Sequence, residues 1–186
     1  MNLYLASTSP RRKDLLFTLG IPFKVIKPLF DEKPTSLSAS EEALFFAEQK
    51  ALSVQSKCPN ALILSADTIV ESNGEKIGKP RDEKEAASFL KKLSGETHFV
   101  HTGIVLLNAS THAIQKHLES VSVSFRKLSS QEIQGYVSTQ EPMGKAGAYA
   151  IQGKARAFIT QVEGEEESAI GLPLRILKGW LRKAHL

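Results

Sequence analysis

An aspartate at the end of an apolar run is the first residue of this chain that could do chemistry. Asp67 follows Ile63-Leu64-Ser65-Ala66, which reads as a buried strand, and open α/β sheets place ligands at the C-terminal edge of such strands. A carboxylate there binds a divalent cation or takes a proton from water. On position alone, a turn or capping aspartate fits equally well. Ser7, Ser9, Arg11 and Arg12 form a second group. Hydroxyls, helix-start amides and guanidinium forks suit phosphate oxygens. The Gly-x-x-x-x-Gly-Lys-Ser/Thr phosphate loop is absent, and a capped helix with exposed arginines is the plainer reading of these residues.

Two more loops combine glycine with positive charge, Gly78-Lys79-Pro80-Arg81 and the stretch from Lys145 to Gly153. Pro80 stiffens the first, and Gly144, Gly147 and Gly153 permit close backbone approach in the second. Solvated surface turns are the commoner fate of such segments. Gln152 lies among apolar neighbours that read as a strand, so its amide needs a partner, either a nucleobase edge or a neighbouring backbone. His98 and His101 stand an odd number of positions apart on one strand and point to opposite faces, so they do not share a metal. Cys58 is the one cysteine and lacks a Cys-x-x-Cys partner. Zinc, redox and Gly-x-Ser-x-Gly serine chemistry are therefore not expected.

The elements that must position these groups can be placed from pattern. Leu3 to Ala6 reads as a strand, Ser9 as an N-cap with Pro10 at the first helical position, and Arg11 to Leu19 as a helix closed by Gly20. Phe23 to Ile26 is a second strand. Ser38 and Glu41 form a capping box for a helix to about Lys57. Ala61 to Asp67 is a strand, and Asn73-Gly74 turns a hairpin between Ile69-Val70-Glu71 and Lys76-Ile77. Asp82 and Glu85 open a helix that stops at Ser94-Gly95. Two long strands follow, Thr97 to Leu107 and Ala113 to Phe125. Ser129 and Glu132 cap a short helix, strands are expected near 148–152 and 157–162, and Pro173 begins a last helix. Crossovers mixed with hairpins predict an α/β fold with a mixed sheet.

Composition limits the function classes. The chain has 186 residues, with 24 Lys plus Arg against 20 Asp plus Glu, a net charge of +4. That length suits one domain, or two small lobes sharing a core. The 41% hydrophobic and 24% charged fractions exclude global disorder and fibrous repeats. Apolar runs are strand-sized, no leader is readable, and a single cysteine suits a reducing compartment, so a soluble cytoplasmic protein is expected. The basic residues sit in short groups beside turns, without a continuous stripe and interleaved aromatics. Small anions are therefore favoured over nucleic acid.

In order and wording, these segments resemble one family. Leu5-Ala6-Ser7-Thr8-Ser9-Pro10-Arg11-Arg12, Asp31-Glu32, Lys50-Ala51, Ala66-Asp67-Thr68, Gly78-Lys79-Pro80, Leu93-Ser94-Gly95, Lys145-Ala146-Gly147-Ala148-Tyr149 with Ile151-Gln152-Gly153, and Gly171-Leu172-Pro173 are similar to the Maf family of nucleoside triphosphate pyrophosphatases. The resemblance runs from Leu3 to about Leu177. It implies a single Maf-like domain over residues 1–186, with a mixed central sheet, flanking helices and two lobes around a cleft, as in the inosine triphosphatase architecture. It also implies hydrolysis of a nucleoside triphosphate to monophosphate and pyrophosphate with a divalent cation.

Asp67 matches the family's proton acceptor, and Arg11, Thr68 and Gln152 match positions tied to substrate choice. Ala-Asp-Thr with Ile-Gln-Gly looks like the branch acting on dTTP and UTP, whereas the branch favouring 7-methyl-GTP tends to carry Ser-Asp-Gln and an acid in place of Gln152. Within that resemblance, Ser7, Ser9, Arg12 and Lys50 are expected to bind phosphate and Lys79 and Lys145 to assist catalysis. Asp67 and Glu32 would hold magnesium or manganese, with cobalt equally suited by oxygen ligands. The Gln152 amide both donates and accepts, as a pyrimidine O4/N3–H edge requires. A purine pyrophosphatase and a nucleotide-binding regulator of septum formation are the alternatives. A homodimer is compatible with the sequence, which shows no seam. Departures from the family are Gly144 in place of Asp, Gly164-Glu165-Glu166 in place of Gly-Ser-Tyr, and Ala150 in place of Gly.

Overall fold

The computed structural model describes residues 1–33 and 35–184. Seven strands form one mixed sheet in the order β2-β1-β3-β5-β6-β7, with β4 paired to β3 outside that path. The strands are β1 (Asn2–Ala6), β2 (Phe23–Ile26), β3 (Ala61–Ser72), β4 (Glu75–Ile77), β5 (Thr97–Asn108), β6 (Ile114–Phe125) and β7 (Ile159–Glu163). β1 runs parallel to β2 and β3, while β4 on β3 and β7 on β6 are antiparallel. The helices are α1 (Pro10–Phe17), α2 (Ala39–Leu52), α3 (Glu83–Leu93), α4 (Ser130–Val137), α5 (Glu166–Ile170) and α6 (Leu174–Lys183). No helix among the described residues is long and apolar enough to cross a membrane. The expected α/β class with a mixed sheet and flanking helices is observed.

The chain divides into two compact units. The first comprises Met1–Asp67, Thr102–Glu119 and the described residues from Gly171 on; the second comprises Thr68–His101 and Ser120–Ile170. The units interleave in sequence because β3, β5 and β6 each contribute residues to both.

In the first unit the strands alternate with a period of two, so each face has its own core. Leu3, Leu5, Leu62, Leu64, Ile104 and Leu106 pack with Leu16 of α1 and with Leu177 and Leu181 of α6. On the opposite face Ala6, Ile63, Val105 and Leu107 pack with Ala47, Ala51 and Val54. The α2 helix approaches unusually closely because its seam is alanine (Ala43, Ala47, Ala51) and because β5 supplies Gly103 opposite it. A Cβ on Gly103 would lie 2.5 Å from the Ala43 carbonyl oxygen and 2.6 Å from the Leu44 Cα. The Ser65 hydroxyl also donates to the Ala47 carbonyl at 2.5 Å. In the second unit a single core forms from Val70, Val100, Val121, Val123 and Phe125 against Leu90 and Leu93 of α3, Ile133 and Tyr136 of α4, and Tyr149 and Phe158.

Several local expectations need correction. β3 continues through Asp67 to Ser72, because its far half pairs with β4 across the Asn73-Gly74 turn. Asp67 is therefore mid-strand, not at a strand's C-terminal edge. α2 ends at Leu52, with only a 3-10 turn at Gln55–Lys57 beyond it. Ser9 stands at the N-cap of α1 but makes no side-chain cap bond. The strand expected at 148–152 is absent. Gly147 and Ala148 take left-handed φ values of 70° and 57°, and the segment forms 3-10 turns at Ala146–Ala148 and Lys154–Phe158 instead. Two acids in a first turn, Glu166 and Glu167, start the unforeseen α5.

Two outcomes follow from this packing. Gly103→Ala drives a methyl into the α2 backbone and costs about 2–3 kcal/mol of stability in denaturant titration. His98 is fully buried, with Nε2 hydrogen-bonded to the Tyr149 hydroxyl at 2.8 Å and its ring against Phe125. Burial pulls its pKa down from 6.5 to about 4. The unfolded chain takes up that proton below its ordinary pKa while the folded chain stays neutral. Stability present above pH 6.5 is thus lost as pH falls toward 4, by about 3 kcal/mol. His98→Gln flattens that slope in unfolding curves measured across the same pH range.

Candidate active site

The expected site residues fall into a group in each unit. In the first unit Ser7, Ser9, Arg11, Arg12, Glu32, Lys50 and Asp67 lie on the turn after β1, the start of α1, the loop after β2, α2 and β3. At its centre the Lys50 ammonium bridges Asp67 and Glu32, with Nζ–O distances of 2.5 Å to each carboxylate. Lys50 and Asp67 are only 7% and 6% exposed, so this is an ion cluster withdrawn from water, and neither charge is tolerable there without the other. Burial pushes the Asp67 carboxyl above its usual range. Lys50 and Arg12 oppose that rise, and the neighbouring Glu32 charge adds to it.

The local sequence explains how a lysine comes to be held inside. Lys50 sits in the last turn of α2, whose start is fixed by the Ser38–Glu41 capping box and whose alanine seam pins it to the sheet. Glu32 belongs to a loop fastened at several points. The Leu29 amide donates to the Ser53 hydroxyl at 3.1 Å, the Thr35 hydroxyl donates to Glu42 at 2.5 Å, and Phe30 packs against Phe45 and Phe46. Sequence reasoning missed Thr35, Glu42 and Ser53. The only signal was a polar stretch facing a helix with a buried glutamate.

At the start of α1, the buried Ser7 hydroxyl accepts the Ser9 N–H at 3.1 Å and shapes the turn. Pro10 at the first helical position leaves the next amides at the positive end of the helix dipole. Arg12 is half-buried, and its Nε donates to the Gly171 carbonyl at 2.9 Å. Burial pulls its pKa down, Asp67 and Glu32 pull it back up, and the guanidinium stays charged. The first unit thus gathers a buried carboxylate, a lysine, an arginine and a helix start, a set suited to phosphate chemistry.

The second unit holds Thr68, Lys79, Lys145 and Gln152. The two glycine-bearing basic loops meet there, since the Gly147 amide donates to the Gly78 carbonyl at 3.1 Å. Lys79 is exposed, and the half-buried Lys145 ammonium donates to the Glu141 carbonyl. Gln152 is exposed in a turn, not buried in a strand as expected. Its partner is not a neighbouring strand, because the backbone around it is committed to 3-10 turns. His98 and His101 do point apart: His98 meets Tyr149, and His101 meets Ser120 at 2.8 Å and Glu71 at 3.5 Å.

A family model described as Maf, Maf-like protein, covers residues 2–184. The chain belongs to the Maf-like family. A dTTP/UTP pyrophosphatase of Pelotomaculum thermopropionicum is 44% identical over 182 residues, covering 97% of this chain and 95% of the relative. One of Symbiobacterium thermophilum is 46% identical over 173 residues, 92% of this chain and 88% of the relative. Among solved structures, the Ham1 protein of Staphylococcus aureus aligns at 17% identity with a TM-score of 0.47, covering 67% of this chain and 72% of that one.

Removing the bridging ammonium should expose how the cluster is balanced. Lys50→Met leaves Asp67 and Glu32 facing each other and lowers stability at pH 7 by about 3–5 kcal/mol. Lys50→Met with Asp67→Asn recovers more than half of that loss in the same urea titration.

Proposed function

We propose that this Maf-like chain hydrolyses nucleoside triphosphates, dTTP and UTP foremost, to the monophosphate and pyrophosphate. The observation that carries the proposal is the buried Asp67–Lys50–Glu32 cluster beside Arg12, in a chain whose relatives bear the name dTTP/UTP pyrophosphatase. Water supplies the oxygen that breaks the α–β phosphoanhydride, and its proton passes to the Asp67 carboxylate. Burial raises the Asp67 pKa, and Lys50 and Arg12 oppose that rise, favouring the ionised form that can act as a base. Arg12 and the first amides of α1 offset the negative charge of the phosphates. Lys79 and Lys145 serve as further phosphate cations, and Arg11, Thr68 and Gln152 select the base.

Asp67 and Glu32 are the carboxylates that would hold a divalent cation, but the point on which they converge is taken by the Lys50 ammonium. Among the described residues no group of three His, Cys, Asp or Glu gathers as a metal site, so the remaining ligands would have to come from water and the triphosphate. Two carboxylates suit magnesium or manganese, which keep their own waters and share oxygens with a triphosphate. Such an ion, when bound, supplies charge neutralisation and a more acidic water.

The test is pyrophosphate release from dTTP, UTP, CTP, ITP and 7-methyl-GTP with magnesium or manganese. Turnover is expected to be led by dTTP and UTP, and Asp67→Asn should lower kcat by about 10²–10⁴-fold. Turnover led by a purine would overturn the choice of base. Nucleotide binding without turnover in the wild-type protein would favour the regulator.

A further inference from the structure

Glu141 was not among the residues expected to matter, yet the whole Lys145–Lys154 segment hangs on it. Its carboxylate accepts the Lys154 N–H at 2.9 Å through Oε1 and at 3.2 Å through Oε2. Oε1 also accepts the Tyr136 hydroxyl at 2.9 Å, and that hydroxyl in turn accepts the Ala150 N–H at 3.3 Å. The Glu141 carbonyl receives the Lys145 ammonium. Glu141 is itself fixed, its N–H donating to the Thr139 hydroxyl at 3.3 Å.

Lys154 opens the 3-10 turn Lys154–Phe158, and the residue at its N-cap, Gly153, makes no side-chain cap bond. Glu141 supplies the missing cap from 13 positions upstream, the role an adjacent Asp or Ser ordinarily plays. Gly153 is needed for that approach rather than for its backbone angles, since its φ of −99° is open to any residue. A Cβ there would overlap the Glu141 carboxylate, lying 2.7 Å from its Cδ.

We infer that Glu141 is a positioning residue for base selection, holding the backbone that presents Gln152. The inference rests on the proposed role of Gln152. A glutamine amide can turn over and pair with either a uracil-like or a cytosine-like edge. Selecting between the edges requires the main chain on both sides of the amide to be fixed. Ala150 is tied to Tyr136 and Lys154 to Glu141, so Gln152 is bracketed within five residues of chain by one linked set of hydrogen bonds. The carboxylate is occupied by these donors and acts through Gln152, not on substrate.

The experiment compares wild type, Glu141→Ala, Glu141→Gln and Gln152→Ala with magnesium, UTP and CTP, alongside amide hydrogen exchange at Gly153 and Lys154. In Glu141→Ala the Lys154 amide should exchange at least about tenfold faster. The ratio of kcat/KM for UTP over CTP should fall at least about tenfold, as in Gln152→Ala, with kcat for UTP much less affected. Glu141→Gln, which keeps one acceptor, should restore part of the ratio. An equal loss for both nucleotides, or an unchanged Lys154 exchange rate, would overturn the inference. If Gln152→Ala leaves the wild-type ratio intact, or if neither nucleotide is turned over, the reading of Gln152 fails instead. The exchange rate then decides the anchoring alone.

Discussion

A lysine ammonium enclosed between two carboxylates sets the terms for the first unit of this protein. Withdrawing Lys50 and Asp67 from water carries a desolvation cost that only their mutual attraction, with Glu32 and Arg12 close by, can offset. That requirement reaches outward. α2 must lie close enough to β3 and β5 for a side chain in its last turn to meet a mid-strand aspartate, which demands the Ala43, Ala47 and Ala51 seam and a glycine at 103. The loop carrying Glu32 must be held in place, which Thr35, Glu42, Ser53 and Phe30 accomplish. Arg12 must stay oriented, and the Gly171 carbonyl at the entry to α6 does that.

The same constraint explains where the sequence misleads. Asp67 looked like a strand terminus because an apolar run stops there, yet β3 continues to Ser72. A carboxylate inside a strand normally signals an exposed face, and here it signals a buried ion partner 17 positions away. No local pattern announces such a partner. Lys50 lies in the last turn of α2, where the helix dipole favours any cation, so its residue type alone does not mark it as a site residue. The reading of Lys50 and Glu32 as site residues came from the wording of whole segments, and the geometry then gives them a physical reason.

Elements fixed by local rules were legible. Both serine–glutamate capping boxes, the Asp82 cap, the Asn73-Gly74 hairpin and the long β5–β6 pair stand where the residues indicated. The 146–158 segment was not legible, for an opposite reason. Its alternating small and apolar residues imitate a strand, but its conformation is dictated from outside, by Glu141, Tyr136 and the Gly78 carbonyl. Period-two patterning reports burial on a pleated surface. It cannot report a cap supplied by a carboxylate thirteen residues upstream.

The departures from the family's usual wording gain a consistent meaning in this light. Gly144, Ala150, Glu165 and Glu166 all lie in the second unit, and none belongs to the Lys50 cluster. Ala150 is buried and gives its N–H to Tyr136, so its methyl joins the packing beside the segment without removing a hydrogen bond. Glu166 pairs with Arg156 at 2.9 Å and stands in the first turn of α5, which ties the middle of the Lys154–Phe158 turn to α5. Gly144, at a φ of 73° with open space where a Cβ would stand, leaves the approach to Lys145 without a side chain. The departures therefore leave the Lys50–Asp67–Glu32 cluster untouched and fall in the unit that holds Gln152. On the proposed role of Gln152, a change confined to that segment alters which base is accepted before it alters whether the phosphoanhydride is cut, because the base edge would be read through the backbone these residues hold.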